Sequence, residues 1–228
     1  MYSHDHKFIY VHIPKSGGTF IKHYLLSNIE PDYENNQNQQ DYDDKYKTTC
    51  ERAINGILWE VPDYKDYFKF TVVRNPFDRV VSMFSYLGGW KYDYFVENNI
   101  DSPKMPYVQK FHDFYIRDDF DGFIDYAYEQ KAIKEFHAGY YETNLNRVTV
   151  RGRVEIDKFF KVEDMQKCLF QLQMKLGFES RKGFDDWRKN SSAEYKKKQD
   201  YKDYYSTYSK DYIEKHFAED LIYFNYGF

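Results

Sequence analysis

Apolar positions along the chain fall into short runs separated by helical patterns. Phe8-Ile9-Tyr10-Val11-His12-Ile13 reads as a buried strand over 7–13, and residues 18–28 follow with helical spacing. From Pro31 to about Lys47 the chain is polar. The run Asn35-Asn36-Gln37-Asn38-Gln39-Gln40 is low in complexity, so this stretch is expected to be a mobile loop. A helix from about Thr49 to Trp59 precedes a strand over 68–74 and a helix over 77–87, which Gly88-Gly89 is expected to end. Residues 90–117 are aromatic and irregular, with Pro103 and Pro106 breaking regular structure. Helical patterning returns at 121–135, then a strand at about 157–162 and a helix from Asp164 to Leu176 closed by Gly177. The last helix, roughly Ser206 to Tyr223, sets Ile213, Phe217, Leu221 and Phe224 on one side. Strands alternating with helices predict an α/β protein with a P-loop-like central parallel sheet flanked by helices.

Two strand-to-helix junctions carry candidate chemistry. The first strand runs into Pro14-Lys15-Ser16-Gly17-Gly18-Thr19. Two glycines let the backbone turn its N–H groups toward an anion, and the next helix aims its positive end at the same point. Lys15 adds a cation, and Ser16 and Thr19 add hydroxyl donors. This is not the nucleotide triphosphatase loop, which needs its lysine after the last glycine and a hydroxyl residue next to it.

The second junction is Phe70-Thr71-Val72-Val73-Arg74-Asn75-Pro76-Phe77-Asp78-Arg79-Val80-Val81-Ser82. Pro76 sits where a helix can begin. Ser82 lies roughly 140° from Phe77 at 100° per residue and is expected clear of the core side. Arg74 and Ser82 are then candidates for holding one phosphate at the carboxyl edge of the sheet. Two anion sites without a magnesium motif suggest a ligand with two phosphates far apart.

The ordered pair resembles the sulfotransferases that use 3′-phosphoadenosine 5′-phosphosulfate (PAPS), in particular the branch of carbohydrate 2-O-sulfotransferases and their small bacterial-type relatives. His12 to Thr19 matches that branch's 5′-phosphosulfate loop, and Tyr67 to Ser82 its 3′-phosphate motif. Phe159 to Met165 is similar to a later core strand and its "ED" turn, and Asn190-Ser191-Ser192, Tyr204-Tyr205 and Phe224 to Phe228 to the family's C-terminal segment. The resemblance implies a sulfotransferase fold, PAPS as donor, 3′-phosphoadenosine 5′-phosphate (PAP) as product and a hydroxyl acceptor, a carbohydrate by analogy with the branch. It implies Lys15, Ser16, Gly17, Gly18, Thr19 and Phe20 around the 5′-phosphosulfate and Arg74 and Ser82 at the 3′-phosphate. Arg188 and Ser191, in the basic segment Gly183–Gln199, are further candidates on the 3′ side. His12 is expected to orient the loop rather than to catalyse. Residues 90–117 are either the wall of the acceptor pocket or a surface excursion. Glu163-Asp164 is expected to cap the helix that follows.

Length and composition narrow the picture. A chain of 228 residues is expected to be one domain spanning 1–228. A net charge of −4 gives no bulk electrostatic reason to expect a nucleic-acid partner. Aromatic residues make up 21% of the chain, with 25 Tyr and 20 Phe, and are read mainly as core filler. Cys50 and Cys168 have neither metal nor disulfide-framework spacing. His4 and His6 are read as part of a frayed terminus rather than as metal ligands. No stretch approaches a membrane span, and the first residues carry no apolar anchor such as Golgi relatives have, so a cytoplasmic enzyme is expected.

Sulfuryl transfer needs a cation at the leaving oxygen, donors around the 5′-phosphate and a base for the acceptor proton. Lys15 is the expected cation. Relatives carry a histidine between the two motifs, where this chain reads Tyr46-Lys47-Thr48-Thr49-Cys50-Glu51, and no histidine occurs from Tyr24 to Phe111. Lys47, Glu51, His112 and His137 stay open as candidates for the base. Two rival readings also stay open: a nucleotide-dependent kinase with a degenerate loop, and a PAP- or PAPS-binding protein without turnover.

Overall fold

The computed structural model describes residues 1–34, 39–47, 53–61, 63–180 and 193–228. In chain order its elements are β1 (Tyr2–Ser3), β2 (Phe8–Val11), α1 (Gly18–Ile29), α2 (Gln39–Tyr46), α3 (Ile54–Leu58), β3 (Phe68–Val73) and α4 (Pro76–Ser85). Next come α5 (Lys91–Glu97), α6 (Met105–Ile116), α7 (Phe120–Ile124), α8 (Ala132–Phe136), α9 (Ala138–Tyr141) and α10 (Asn144–Val148). The hairpin of β4 (Thr149–Val150) and β5 (Arg153–Val154), β6 (Lys158–Lys161), α11 (Met165–Leu176), α12 (Thr207–His216) and α13 (Ala218–Phe224) complete the chain. These elements fall into two compact units, Met1–Arg74 with Asn144–Lys189, and Asn75–Thr143 with Asn190–Phe228.

The first unit holds the sheet, in strand order β1-β2-β3-β6. β2, β3 and β6 run parallel, with Tyr10 opposite Phe70 and Val72 opposite Phe160, while β1 closes the edge antiparallel to β2. All four residues of β2 are buried, which is why Phe8 to Val11 form a continuous apolar run instead of alternating. Ile21, Tyr24 and Leu25 of α1 and Cys168, Leu169 and Leu172 of α11 pack with Phe8, Tyr10, Phe70 and Phe160. This is the expected α/β arrangement, a parallel sheet flanked by helices. The Cys168 thiol is free, and burial pushes its pKa up to about 12.

The second unit is helical, and its core is largely aromatic. Phe77, Phe84, Phe111, Phe123 and Phe217 are fully buried there with Tyr128. Phe84 alone packs near Tyr115, Phe120, Phe123 and Tyr204, with ring centroids 5.1–6.0 Å apart. The abundance of Phe and Tyr is thus core filler, as expected.

Several expectations are corrected. The polar stretch Pro31–Lys47 contains α2, and Tyr33 and Tyr46 are buried in the first unit's core; aromatic anchors outweigh the polar background. Glu30 accepts hydrogen bonds from Lys45 (2.6 Å) and Tyr46. Residues 35–38 lie outside the described residues, as does the start of the helix expected from Thr49. The N-terminus is not frayed: β1 is paired, Met1 is buried, and His4 Nδ1 bonds Tyr67 Oη at 2.5 Å. Gly88-Gly89 does not end a helix, because the chain continues through a π-helical turn, Tyr86–Trp90, into α5. Residues 90–117 are mostly helical, with Pro106 in the first turn of α6, where its missing N–H is harmless. The expected last helix breaks at Phe217 into α12 and α13, with Ile213, Phe217 and Phe224 buried as predicted.

The glycines at 88 and 89 are there for close approach. A Cβ on Gly88 would stand 2.3 Å from Tyr115 Cβ and 2.9 Å from the Phe111 carbonyl oxygen. Neither atom can rotate away, so Gly88→Ala is expected to cost about 3 kcal/mol by overpacking. A Cβ on Gly152 would meet nothing within 4 Å, leaving only the strain of its φ of +77°, about 1 kcal/mol. Urea titrations of the two variants should give clearly separated midpoints; coincident midpoints would show that the π-helical turn has slack.

Candidate active site

The loop between β2 and α1 is built from two left-handed residues. Lys15 has φ +66° and Gly17 has φ +78°. Ser16 N–H donates to the Ile13 carbonyl at 3.2 Å, closing the turn, and Gly17 takes the N-cap position of α1. Left-handed backbone at a lysine costs about 1–2 kcal/mol, so something must hold it. Arg74, just past β3, does: its Nη1 donates to the Lys15 carbonyl at 3.0 Å. Gly17 is required by its φ. Gly18 is required by crowding, since a Cβ there would fall 1.8 Å from Nε2 of His12. The imidazole therefore lies directly against the loop.

This loop has the features of an anion cradle. The first turn of α1 has no side-chain cap hydrogen bond and no acidic residue, so its N–H groups keep their positive end. Ser16 is fully buried, and its hydroxyl has no hydrogen-bond partner among the described residues. A buried hydroxyl left without a partner costs about 1–3 kcal/mol, which a bound anion would recover. Lys15 and Phe20 are partly buried and Thr19 is exposed.

The charges that act on His12 are positive. His12 is pushed down to about 3, first by burial and then by the Met1 amino group, Arg147, Lys15 and Lys22. Its imidazole is neutral at pH 7. Arg147 in α10 is only 2% exposed. Nothing in Asn144-Leu145-Asn146-Arg147-Val148 marks it as a site residue, because its contribution depends on the fold returning residues 144–180 to the first unit.

In the second unit the rest of the Arg-Asn-Pro motif is described by itself. Asn75 Oδ1 accepts from Phe77 N–H at 3.1 Å and caps α4. Arg79 is fully buried; Nη1 donates to the Glu142 carbonyl at 3.0 Å and Nη2 to that of Gly139 at 3.1 Å. It is a structural cation. Ser82 is 4% exposed, not clear of the core, because every residue of α4 except Asp78 is buried. Asp164 takes the N-cap position of α11 without a side-chain cap hydrogen bond.

The base candidates belong to separate elements. Lys47 is exposed just after α2, at φ +49°. Nδ1 of His112 lies 2.6 Å from the Gly88 carbonyl, so it donates there, and the ring stacks on Tyr92 at 3.6 Å. Nδ1 of His137 accepts from Gly139 N–H at 3.2 Å and caps α9. Glu51, Arg188 and Ser191 lie outside the described residues.

With this geometry in view, the comparison with known families is direct. Residues 1–227 match the sulfotransferase family, and the chain belongs to that family. It is an enzyme that transfers sulfate. No curated protein and no solved structure matches the chain. Among the described residues no helix is long and apolar enough to cross a membrane.

The His12 environment makes a testable pH dependence. The folded value near 3 lies below the ordinary 6.5. As pH falls through that window the unfolded chain binds a proton that the folded chain refuses. Stability therefore falls with pH, by at most about 1.4 kcal/mol per unit from this group. His12→Gln should remove that part of the slope between pH 6 and 4 in chemical denaturation. An NMR titration in which the His12 ring protonates near 6.5 would overturn the assignment.

Proposed function

We propose that the chain moves a sulfuryl group from PAPS to a hydroxyl acceptor, a carbohydrate, as in the 2-O-sulfotransferase branch its motifs resemble. The observation that carries this reading is the β2–α1 loop. It combines a buried hydroxyl without a partner among the described residues, uncapped helix amides and several positive charges acting on His12. That donor set fits a phosphosulfate. Lys15, Ser16, Gly17, Gly18, Thr19 and Phe20 form the proposed cradle, while Arg74 and Ser82, with Arg188 and Ser191, are proposed for the 3′-phosphate on the strength of the motif.

PAPS supplies an activated sulfuryl group whose transfer leaves PAP. Lys15 is proposed to neutralise the charge that grows on the leaving phosphate oxygen. The loop amides hold that phosphate still, and His12 fixes the loop by lying on Gly18. Being neutral, His12 offers no competing charge. Lys47, Glu51, His112 or His137 would accept the acceptor's proton. The hydrogen bonds of His112 and His137 give each a positioning task that competes with that role.

PAP should raise the melting temperature without magnesium, a ligand at one hundred times its dissociation constant adding about 2.7 kcal/mol. ATP, which offers no 3′-phosphate, should do much less; equal stabilisation by the two would remove the PAPS reading. Lys15→Ala should lower turnover by orders of magnitude with PAP still bound. Arg74→Ala should instead weaken PAP by roughly 2–5 kcal/mol. Wild-type turnover in Lys15→Ala would show that another group meets the leaving oxygen. Alanine at each of the four base candidates, assayed at saturating PAPS, should reveal one that lowers turnover at least about tenfold.

A further inference from the structure

Asn75 is used in more ways than a helix cap requires. Its Oδ1 accepts from Phe77 N–H, while Nδ2 donates to the Gly227 carbonyl at 2.8 Å and lies 3.4 Å from Tyr201 Oη. Serine or aspartate would cap α4 as well, but of the three only asparagine carries its acceptor and its donor on separate atoms. The donor half of the side chain therefore points to the C-terminal segment as the reason for asparagine.

That segment is shaped for the contact. α13 ends at Asn225, whose φ of +51° reverses the chain, and Tyr226 N–H returns to the Leu221 carbonyl at 2.9 Å. Gly227 is thereby delivered to Asn75. Next to it the Phe228 ring stands edge-on to Phe77, Tyr205 and Tyr201, with centroids 4.9, 5.4 and 6.1 Å away. Lys210 and Lys202 lie 4.9 and 5.6 Å from the same ring. Tyr205 Oη donates to the Phe77 carbonyl at 2.9 Å. The first turn of α4 is thus gripped by residues more than a hundred positions away, and part of the grip is at the surface, where it can open.

We propose that Gly227 and Phe228 form a positioning strap on the first turn of α4, and that the strap sets the donor affinity of the Ser82 end of the motif. The proposal rests on the PAPS reading. Ser82 rides on the helix that the strapped turn begins. Release of the strap frees Asn75 and Phe77 to shift, and that end of the motif then orders only when donor binds, which weakens the donor. Asn75 and Phe228 are positioning residues, not catalytic ones.

Three variants test this by calorimetry with PAP and by amide hydrogen exchange at Phe77 and Arg79. Asn75→Ser keeps the cap and loses the Gly227 bond. Phe228→Ala removes the plug, and Phe228→Tyr retains it. Asn75→Ser and Phe228→Ala should each weaken PAP at least about fivefold, the lower end of couplings between linked sites. The double variant should be little worse than either, because both break one device. Phe228→Tyr should bind PAP like wild type. The two amides should exchange faster in the weakened variants alone. Unchanged PAP affinity in Phe228→Ala overturns the proposal, even where the amides open, because the strap would then serve stability only. Additive losses overturn the claim of one device. If Phe228→Ala does not fold, Phe228→Leu replaces it, with the same outcomes deciding. Absence of PAP binding in the wild type would instead defeat the donor reading, and the amide exchange would still report whether the strap exists.

Discussion

The hydrogen bond from Arg74 to the Lys15 carbonyl is the constraint on which the β2–α1 loop depends. Lys15 sits in a left-handed conformation that an L-residue adopts at a cost, and its carbonyl is held by a cation from the end of the neighbouring strand. The parallel pairing of β2 with β3, Val11 opposite Thr71, fixes where those two strand ends arrive. Thr71 Oγ1 strengthens that pairing by donating to the Val11 carbonyl at 2.7 Å. The sheet therefore determines the loop. With the carbonyl tied back, the Ser16 hydroxyl stays buried without a partner among the described residues, and the first turn of α1 has no side-chain cap.

Assembling such a loop concentrates positive charge in a partly dry place. The Met1 amine, Arg147, Lys15 and Lys22 all act on His12 with the same sign. Like charges close together oppose folding, and an anion relieves them. A histidine held neutral there is compatible with this field, whereas an imidazolium would add to the repulsion. The same field would suit the proposed reaction, in which charge moves onto a leaving phosphate oxygen.

The second unit solves a different problem. Its helices are short, and several are interrupted, by the π-helical turn at Tyr86–Trp90, by another at Asp125–Glu129 and by the break at Phe217. Short helices have little stability of their own and draw it from packing. Interlocked Phe and Tyr rings supply that packing with few rotatable bonds. Arg79 adds a buried cation satisfied by the Glu142 and Gly139 carbonyls, which joins α4 to the α9 region. Much of the Arg-Asn-Pro motif is thus architectural: Asn75 caps and clasps, Pro76 starts the helix and Arg79 binds carbonyls.

How much was legible in the sequence follows from the range of each interaction. The parallel strands, the loop glycines and the family motifs depend on neighbours within a few residues, and Phe8 to Thr19 shows all three. The helix in Gln39–Tyr46 was hidden because its stability comes from burying Tyr33 and Tyr46 in a core that composition cannot display. Gly88 and Gly89 read locally as a stop, yet they serve contacts with Tyr115 and Tyr195. Ser82 read as surface because helical periodicity reports one apolar face, whereas packing buries every residue of α4 except Asp78. Arg147 and the Asn75–Gly227 bond carried no signal at all. A short strand or a phosphate loop is specified by adjacent residues, but a contact between residues 75 and 227 exists only once the chain has folded.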